Sequence, residues 1–153
     1  MTVDPKGVEL TPYDGIPHLI SPVIRETEDF APALGGLIEV MHQRYQLLRQ
    51  SGARNIVTYN EKTYRPLPFL VLIVDELAEL MLAGGRDSEA KLVRLAQMGR
   101  AAGIHLVLST QRPTVDVVTG LLKANISTRI SFAVASRTDS RVILDVAGAE
   151  NLL

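Results

Sequence analysis

Two adjacent acidic residues, Asp75 and Glu76, follow an uninterrupted apolar run at positions 69–74. Half of that run is β-branched, which predicts a buried strand covered on both faces. A carboxylate fixed at the end of such a strand can hold Mg²⁺, directly or through its waters, and Mg²⁺ bridges nucleotide phosphates. A second carboxylate beside it can orient or deprotonate an attacking water. The alternative is a strand whose polar end simply meets solvent, and this stretch alone leaves both possibilities open.

A second apolar stretch ends in polar residues in the same way. The sequence IHLVLSTQRP, at 104–113, predicts another buried strand that leads into Thr110 and Gln111. Both side chains could hydrogen-bond a γ-phosphate or the water that attacks it. Because the carboxyl ends of parallel strands share one edge of a sheet, the two polar pairs are expected to meet in one nucleotide site. A glutamine with no such neighbours would be interpreted as an ordinary loop residue.

Apolar periodicity predicts the elements that hold these residues in place. Strands alternate with helices of about ten residues or more, which favours an α/β fold with a mostly parallel sheet and helices on both faces. A strand end followed by ordered loop is expected at 2–23, and a further loop at 51–68. Helices are expected at 27–52, 87–103, 114–125 and 138–148, with caps at Asp87 or Ser88 and at Thr138, and a third buried strand at 129–136.

The composition limits the class of protein. The 153 residues include no cysteine, which excludes disulfides and thiolate metal sites. No apolar run approaches the ~20 residues that cross a bilayer, and no signal peptide is visible at the N-terminus. The net charge is −1, but residues 94–141, the basic segment, carry seven Lys and Arg against two acids. Such a segment can be the footprint of a polyanion or a solvated mixed surface, and charge alone favours the second.

Several segments taken together resemble the motor domain of the FtsK/SpoIIIE DNA translocases. They are VDPKGVELTPYDGIPHL, EVMHQRYQLL, VLIVDELAELM and the long stretch from LAQMGRAAGIHLVLSTQRP to the C-terminus, of which RAAGIHLVLSTQRPTVDVVTGLLKANI is especially specific. The resemblance implies a RecA-like P-loop core that uses ATP and Mg²⁺ and assembles as a hexameric ring around double-stranded DNA. In that family, ATP hydrolysis between subunits drives DNA through the pore, in chromosome segregation at cell division, on the cytoplasmic face of the membrane.

The resemblance also implies roles for individual residues. Asp75 and Glu76 match the Walker B acids, with Asp75 holding Mg²⁺ through water and Glu76 activating the attacking water. Thr110 and Gln111 match the sensor segment. Arg100 matches the arginine that reaches into the neighbouring subunit's site, where a guanidinium neutralises charge on the transferred phosphate. Without the resemblance, Arg100 would be interpreted as a helix C-terminal arginine that the helix dipole stabilises.

Three cations of the basic segment match positions in or beside the family's pore loops: Arg112, Lys123 and Arg137. Phosphate contacts by such residues carry no sequence information, as a motor that runs along any DNA requires. The alternative for all three is a solvated surface. Arg129 and Arg141 are expected to be structural or to make subunit contacts.

The chain departs from the family pattern at the phosphate-binding loop. No GxxxxGK[ST] motif, the Walker A loop, occurs in the 153 residues, and in the family that loop lies upstream of the segment matching VDPKGVEL. Residues 1–153 are therefore expected to be a partial motor domain, truncated at its N-terminus and not necessarily able to form the ring. Without the loop's backbone cradle and lysine, the chain is expected to bind ATP weakly and not to turn it over. Exposed apolar sheet is expected to cause self-association.

Alternative functions stay open at this point. One is a catalytically inactive remnant or DNA-binding module with the same fold. Another is a motor of the related conjugative coupling or type VII secretion groups, although STQRPTVDVVTGLLKANI favours the FtsK-like group. His18 is expected to be a loop residue that packs near the site, not a metal ligand.

Overall fold

The fold is organised around a small parallel sheet, in a computed structural model that describes residues 1–152. Its strands are β1 (Thr2–Val3), β2 (Leu70–Val74) and β3 (Ile104–Leu108), side by side in that order. Val74 of β2 pairs with Val3 of β1 and with Leu108 of β3. The three carboxyl ends therefore lie together at one edge of the sheet. The predicted α/β class with a parallel sheet is confirmed.

Helices of very different length accompany the sheet. The described helices are α1 (Phe30–Gln50), α2 (Ile56–Lys62), α3 (Leu77–Ala102), α4 (Gly120–Asn125) and α5 (Arg137–Leu144), with short 3₁₀ turns at Thr11–Tyr13, Thr27–Asp29 and Ala149–Asn151. The long helices α1 and α3 pack against each other, and α3 also contacts β3 and α4. Across residues 1–152, no helix combines the length and apolar character that crossing a membrane requires.

The hydrophobic core lies between one face of the sheet and the two long helices. Side chains alternate between the two faces along a strand, and Leu72, Val74 and Ile104 are the buried strand residues on the core side. The helices cover them with apolar side chains at helical spacing. Among the most deeply buried of these are Phe30, Leu34 and Met41 of α1 and Leu92 and Leu95 of α3.

The opposite face of the sheet is open to solvent within the described residues. Phe69, Val71 and Val107 are 52%, 41% and 52% exposed, whereas the sequence predicts strands covered on both faces. The reason is that the long helices of residues 1–152 share one side of the sheet. The loop after β1 crosses part of the open face and leaves a groove lined by side chains that include Ile16 and His18. His18 is therefore a loop residue, as expected.

A helix, α2, replaces part of the loop predicted at 51–68. It begins after Asn55, whose side chain accepts a hydrogen bond from the backbone N–H of Thr58 at 2.9 Å. Its Ile56 packs tightly against Gly103, where an added Cβ atom would lie 2.4 Å from the Ile56 side chain. Asn55 is a recognisable N-cap, but a helix of seven residues carries too little apolar periodicity to be predicted.

The helix α3 consists of two helical stretches that meet at a kink at Gly85, and the second stretch begins close to the predicted caps, Asp87 and Ser88, although neither is the N-cap of α3 as a whole. The first stretch, from Leu77, is not predicted from the sequence. A glycine pair at 84–85 interrupts the helical pattern of the sequence, but the structure accommodates it as a kink. Gly85 alone has non-helical dihedral angles (φ 50°, ψ −137°), and the helix resumes after it. The predicted end is confirmed, since Gly103 terminates the helix in a left-handed conformation at φ 72°.

The C-terminal part lacks the strand predicted at 129–136. That segment pairs with the chain's own last turn, through a 3.3 Å hydrogen bond from Val134 N–H to the Ala149 carbonyl, rather than with the sheet. The two predicted helices on either side are present but shorter, since α4 covers Gly120–Asn125 where the sequence predicts 114–125 and α5 covers Arg137–Leu144 where the sequence predicts 138–148. The cap of α5 is Ser136 rather than Thr138, and the helix ends at Asp145.

Candidate functional site

Polar side chains that follow all three strands meet at the carboxyl edge of the sheet. Asp4 follows β1, Asp75 and Glu76 follow β2, and Thr110 and Gln111 come shortly after β3. We call these five residues the acidic edge. The structure thus brings together the two polar pairs that the sequence places at one edge, and it adds an acid from a third strand.

Backbone hydrogen bonds hold the strand ends together where the chain leaves the sheet. The Asp75 N–H donates to the Val3 carbonyl, and the Ser109 N–H donates to the Val74 carbonyl, each at 3.0 Å. The Ser109 hydroxyl lies 2.8 Å from the Val74 oxygen and 2.7 Å from the Asp75 oxygen, so its one proton serves both carbonyls. The Leu77 N–H closes the set by donating to the Ser109 carbonyl at 2.8 Å. The acids are therefore anchored through their own backbone.

Glu76 is the most constrained side chain of the acidic edge, with 1% of its surface exposed. Its Oε1 accepts hydrogen bonds from the Ala78 N–H at 3.1 Å and from the Thr110 hydroxyl. Its Oε2 accepts one from the Gln111 N–H at 3.1 Å and lies 3.9 Å from the Lys6 ammonium. A buried carboxylate is tolerated when it is paired and hydrogen-bonded in this way.

The two adjacent carboxylates have opposite electrostatic surroundings. Burial opposes the ionisation of Glu76, but its three hydrogen bonds and the charge of Lys6 outweigh burial, so the pKa of Glu76 is lowered. Desolvation, followed by the negative charges of Asp4 and Glu9, raises the pKa of Asp75. Environments that drive the pKa values of two neighbours apart are typical of sites where the two have different roles.

Asp75 supplies the acceptor atom that a cation site needs. Its Oδ2 atom is buried and has no hydrogen-bond partner among the described residues. Within that part of the chain, no three His, Cys, Asp or Glu side chains are grouped to hold a metal ion by themselves. Mg²⁺ in nucleotide sites is held by one or two carboxylates, with phosphates and waters as the other ligands. Asp75 therefore fits a divalent cation whose other ligands are waters and, once a nucleotide is bound, phosphates.

Sequence reasoning missed two residues of this region, Asp4 and Lys6. The Asp4 carboxylate is fully buried and accepts hydrogen bonds from the Gly7 N–H at 2.8 Å and the Leu10 N–H at 2.9 Å. These bonds fold residues 4–10 into a compact loop that carries Lys6 toward Glu76. The signal was available, because Asp4 follows an apolar strand residue just as Asp75 does.

Two residues expected to be catalytic differ from Glu76 in their placement. Gln111 contacts Glu76 through its backbone N–H, while its side chain is exposed at the edge. Arg100 is exposed near the end of α3, where its carbonyl accepts a hydrogen bond from the Gly103 N–H at 3.2 Å. Because α3 starts beside Glu76 and ends just before β3 begins, Arg100 lies at the opposite end of the sheet from the acidic edge of its own chain.

Two of the cations expected to contact DNA are exposed and form loose ion pairs. Arg112 is 63% exposed and lies 3.7 Å from Glu79. Arg137 is 78% exposed and lies 3.4 Å from Glu150. Ion pairs at such exposure contribute about 0–1 kcal/mol to stability, so an outside anion can displace the acid at little cost.

The third cation, Lys123, belongs to a cluster centred on Asp145. Its ammonium lies 2.6 Å from one oxygen of Asp145, and the Arg129 guanidinium lies 2.8 Å from the other. Both cations are mostly covered, with 22% and 25% of their side chains exposed. The hydrogen bond from Lys123 lowers the pKa of Asp145 despite its desolvation. Arg129 therefore has the structural position expected for it, and Lys123 shares that position.

Comparison with known families places these residues in context. A family model described as FtsK/SpoIIIE family matches residues 1–66 and 59–115, which include the whole acidic edge. The chain belongs to the FtsK/SpoIIIE family. The resemblance that the sequence motifs indicate is thus confirmed.

A curated relative matches almost the entire chain. It is the DNA translocase FtsK of Mycobacterium leprae, which is 54% identical over an alignment of 165 residues. The alignment covers 99% of this chain and 20% of the relative. The chain therefore spans about a fifth of the length of the curated relatives it matches.

Solved structures share the fold. The chain superposes on the pCW3 conjugation coupling protein TcpA, in a monomer form with ATPγS, with a TM-score of 0.82 and 31% identity over 98% of this chain and 45% of TcpA. It superposes on the type VII secretion ATPase EccC of Thermomonospora curvata with a TM-score of 0.70 and 27% identity over 86% of this chain and 16% of EccC. These likenesses confirm the predicted RecA-like ATPase fold class.

Proposed function

We propose that this chain carries the hydrolytic residues and part of the DNA-contacting surface of an ATP-driven double-stranded DNA translocase. In the whole protein, ATP is hydrolysed between subunits of a hexameric ring, and the motor acts in chromosome segregation at cell division. Family membership and a relative named as a DNA translocase support this proposal. The likeness to a coupling protein solved with ATPγS supports ATP as the nucleotide.

One observation carries the proposal: a buried, hydrogen-bonded Glu76 stands beside an Asp75 whose buried Oδ2 has no partner. Leaving a buried polar atom unsatisfied costs about 1–3 kcal/mol. A chain that needed Asp75 for folding alone would gain by giving that atom a donor. The arrangement is therefore better explained by a cation that joins the site with its nucleotide.

The residues of the acidic edge divide the chemistry between them. Asp75 would hold Mg²⁺ through water, and the ion would supply charge neutralisation on the phosphates. Glu76, fixed by Thr110 and by the Gln111 backbone, orients the attacking water. Its lowered pKa makes it a weak proton acceptor, so orientation is its larger contribution. The exposed Gln111 side chain stands at the same edge, where it can hydrogen-bond that water or the γ-phosphate.

Arg100 acts on a neighbouring subunit in this proposal. Its position at the far end of α3 separates it from the acidic edge of its own chain. A guanidinium placed there can reach a nucleotide only when that nucleotide belongs to another copy. Its role is to neutralise charge that develops on the transferred phosphate.

Arg112, Lys123 and Arg137 contact DNA phosphates in this proposal. The loose pairs of Arg112 and Arg137 leave both guanidinium groups accessible to phosphate. Lys123 must first exchange Asp145 for a phosphate. Such contacts serve any DNA sequence equally.

Residues 1–153 by themselves are proposed not to turn over ATP. The sequence contains no GxxxxGK[ST] motif, and therefore none of the backbone cradle and lysine that hold the β- and γ-phosphates. A catalytically inactive DNA-binding module with this fold is the main alternative. A conjugative or secretion motor is a second one, supported by the likeness to TcpA and EccC, but at lower identity than the likeness to FtsK.

A chimera tests the proposal. Residues 1–153 replace the matching segment of the Mycobacterium leprae FtsK, and ATP hydrolysis is measured with and without duplex DNA. We expect DNA-stimulated hydrolysis that falls about 100-fold or more in Glu76→Gln and in Asp75→Asn, because each removes transition-state stabilisation. Glu61→Gln, at an exposed site of α2, serves as the matched control and should leave the rate unchanged.

Two outcomes would contradict the proposal. A folded chimera without ATPase activity would favour the inactive module. Hydrolysis that duplex DNA does not stimulate would favour a motor that moves another polymer.

A further inference from the structure

Lys6 is the cation closest to the acids at the carboxyl edge. Its ammonium lies 3.9 Å from Oε2 of Glu76. Among residues 1–152 no other Lys or Arg comes within 4.0 Å of Glu76, and none comes that close to Asp75. No role is assigned to Lys6 by the family resemblance described above.

Lys6 stands among four carboxylates. Asp4, Glu9 and Glu76 all act on Asp75 with their negative charge, and Lys6 is the one positive charge among the groups that do so. A triphosphate brought to this edge meets the same negative charge. The edge therefore needs a cation of its own before Mg²⁺ and nucleotide arrive.

The loop that carries Lys6 is built to hold it there. Asp4 fastens both ends of the loop, by accepting from the backbone N–H groups of Gly7 and Leu10. The Asp4 N–H donates to the Ile24 carbonyl at 2.9 Å, which ties the loop to the next segment. Gly7 takes a left-handed conformation at φ 67°, which a residue with a Cβ atom rarely adopts. The backbone of Lys6 is thus fixed, while its side chain stays 41% exposed and adjustable.

We propose that Lys6 is a positioning residue for Glu76 and the resident counter-ion of the acidic edge. This inference rests on the proposed function, because the edge needs a counter-ion only if it receives phosphates. At 3.9 Å the contact is electrostatic rather than a hydrogen bond. The exposed ammonium can therefore add its attraction to the three hydrogen bonds that hold the Glu76 carboxylate, and it can lower the repulsion that the acids exert on an incoming nucleotide. It also competes with a divalent cation for the same acids.

A binding experiment without nucleotide tests the counter-ion. Mn²⁺ binding to the 153-residue chain is followed by the electron paramagnetic resonance signal of the free ion. Lys6→Met, which keeps the length and removes the charge, should tighten Mn²⁺ binding about threefold to tenfold, because a competing positive charge is lost. Lys6→Arg should bind Mn²⁺ like the parent. Lys62→Met, at a lysine of α2 that contacts the Gly52 carbonyl, is the control.

A kinetic experiment in the chimera tests the positioning role. Lys6→Met should lower kcat about tenfold and raise the KM for ATP by a smaller factor, because the water-orienting Glu76 is less well held. Lys6→Arg should restore kcat to within about threefold, since it restores the charge but not the shape of the group. A residue that only supported the loop would not be rescued by charge in this way.

The two experiments separate this inference from the proposed function. Unchanged Mn²⁺ affinity in Lys6→Met, or the same change in Lys62→Met, overturns the proposal that Lys6 is the counter-ion of the acidic edge. If the parental chimera is active and the Lys6→Met variant has an unchanged kcat, the positioning role of Lys6 is overturned. A parental chimera that is inactive overturns the proposed function, and the Mn²⁺ measurement still decides whether Lys6 neutralises the edge.

Discussion

The acidic edge and the basic segment hold their charges in opposite ways. At the edge, Glu76 is 1% exposed and has three hydrogen-bond donors, two of them backbone N–H groups. In the basic segment, Arg112 and Arg137 are 63% and 78% exposed, and each faces one acid at more than 3 Å. The acidic edge fixes the position of a charge, and the loose pairs of Arg112 and Arg137 leave theirs exchangeable. Lys123 and Arg129 of the same segment are held more closely, by Asp145 at 2.6 and 2.8 Å.

This difference suits the proposed function, in which a motor moves along a polymer. Hydrolysis needs a carboxylate and a water held within a fraction of an ångström, which backbone donors provide. Contacts to a moving polymer must be broken at every step, which weak and exposed ion pairs allow. Stability should therefore fall when single atoms of the acidic edge are lost, whereas DNA affinity should change when charges in or beside the basic segment change.

Removing Glu76 should give the largest effect on folding. Glu76→Ala leaves the backbone N–H groups of Ala78 and Gln111 without an acceptor and opens a cavity, so the free energy of unfolding should fall by about 3 kcal/mol. Urea denaturation followed by circular dichroism measures it. Glu61→Ala, at an exposed helix position, should change stability by less than about 0.5 kcal/mol. Equal losses in the two variants would show that Glu76 contributes no more to folding than an exposed acid does.

Thr110→Val should give a smaller loss at the same edge. The substitution keeps the shape but deletes the hydroxyl that donates to Glu76 and accepts from the Arg112 N–H at 3.1 Å. The expected cost is about 1–2 kcal/mol, measured in the same denaturation experiment. The exposed Thr128→Val is the matched control. A Thr110 variant as stable as the control would show that the hydroxyl contributes nothing to holding Glu76.

Asp75→Asn should stabilise the chain at neutral pH, in contrast to the two changes above. Because the pKa of Asp75 is raised above its ordinary value of 3.8, its stabilising contribution is present below that value and is lost as pH rises through the raised pKa. Asparagine avoids that loss, so the melting temperature at pH 7 should rise by about 2–4 °C. The gain should shrink as pH is lowered toward 3.8. A melting temperature that falls at pH 7 would contradict the prediction.

The stability that the ionised Glu76 contributes has the reverse pH dependence. The contributions of Asp75 and Glu76 to stability can therefore be separated by measuring stability against pH. Its pKa is lowered, so its contribution to stability is present above its ordinary value of 4.5 and is lost as pH falls through the lowered pKa. The stability difference between parent and Glu76→Ala should therefore be largest at neutral pH.

Asp145→Asn tests the exchangeable side of the comparison and should give the smallest effect. It releases Lys123 and Arg129, so the chimera should bind nonspecific duplex DNA about twofold to fivefold more tightly, with a steeper salt dependence. Fluorescence anisotropy with a labelled duplex at several salt concentrations measures both. Asp139→Asn, in the helix α5 that Asp145 caps, is a control with the same charge change. Equal DNA affinities in the two variants would show that Lys123 does not belong to the proposed DNA-contacting surface.

The sequence predicts the acidic edge well because the rule it uses is geometric. Apolar runs that end in Asp75–Glu76 and in Thr110–Gln111 must meet if the strands are parallel and adjacent, and in the structure they do. Asp4 obeys the same rule, but β1 has two residues and carries too weak a strand signal to draw attention to it. Lys6 could not be predicted, because its approach to Glu76 depends on a loop that folds around a buried acid.

Errors in the fold have a common cause, which is that local pattern does not reveal packing. The segment at 129–136 has a strand-like composition, yet it bonds to the chain's last turn. The helical stretch that runs from Leu77 to the kink at Gly85 is not predicted, although the stretch after the kink is. Alternation along β2 and β3 is visible only in the structure, since apart from His105 both strands are apolar on both faces, and one of these faces has no helix against it.

The open face of the sheet has a thermodynamic consequence. The chain has an accessible surface of 9404 Å², which is about 1,800 Å² more than is expected for a folded monomeric protein of its mass. Phe69, Val71 and Val107 meet water before unfolding as well as after it, so they add little to the heat capacity of unfolding. Calorimetry should therefore give a heat-capacity increment below the usual ~12–15 cal/mol/K per residue.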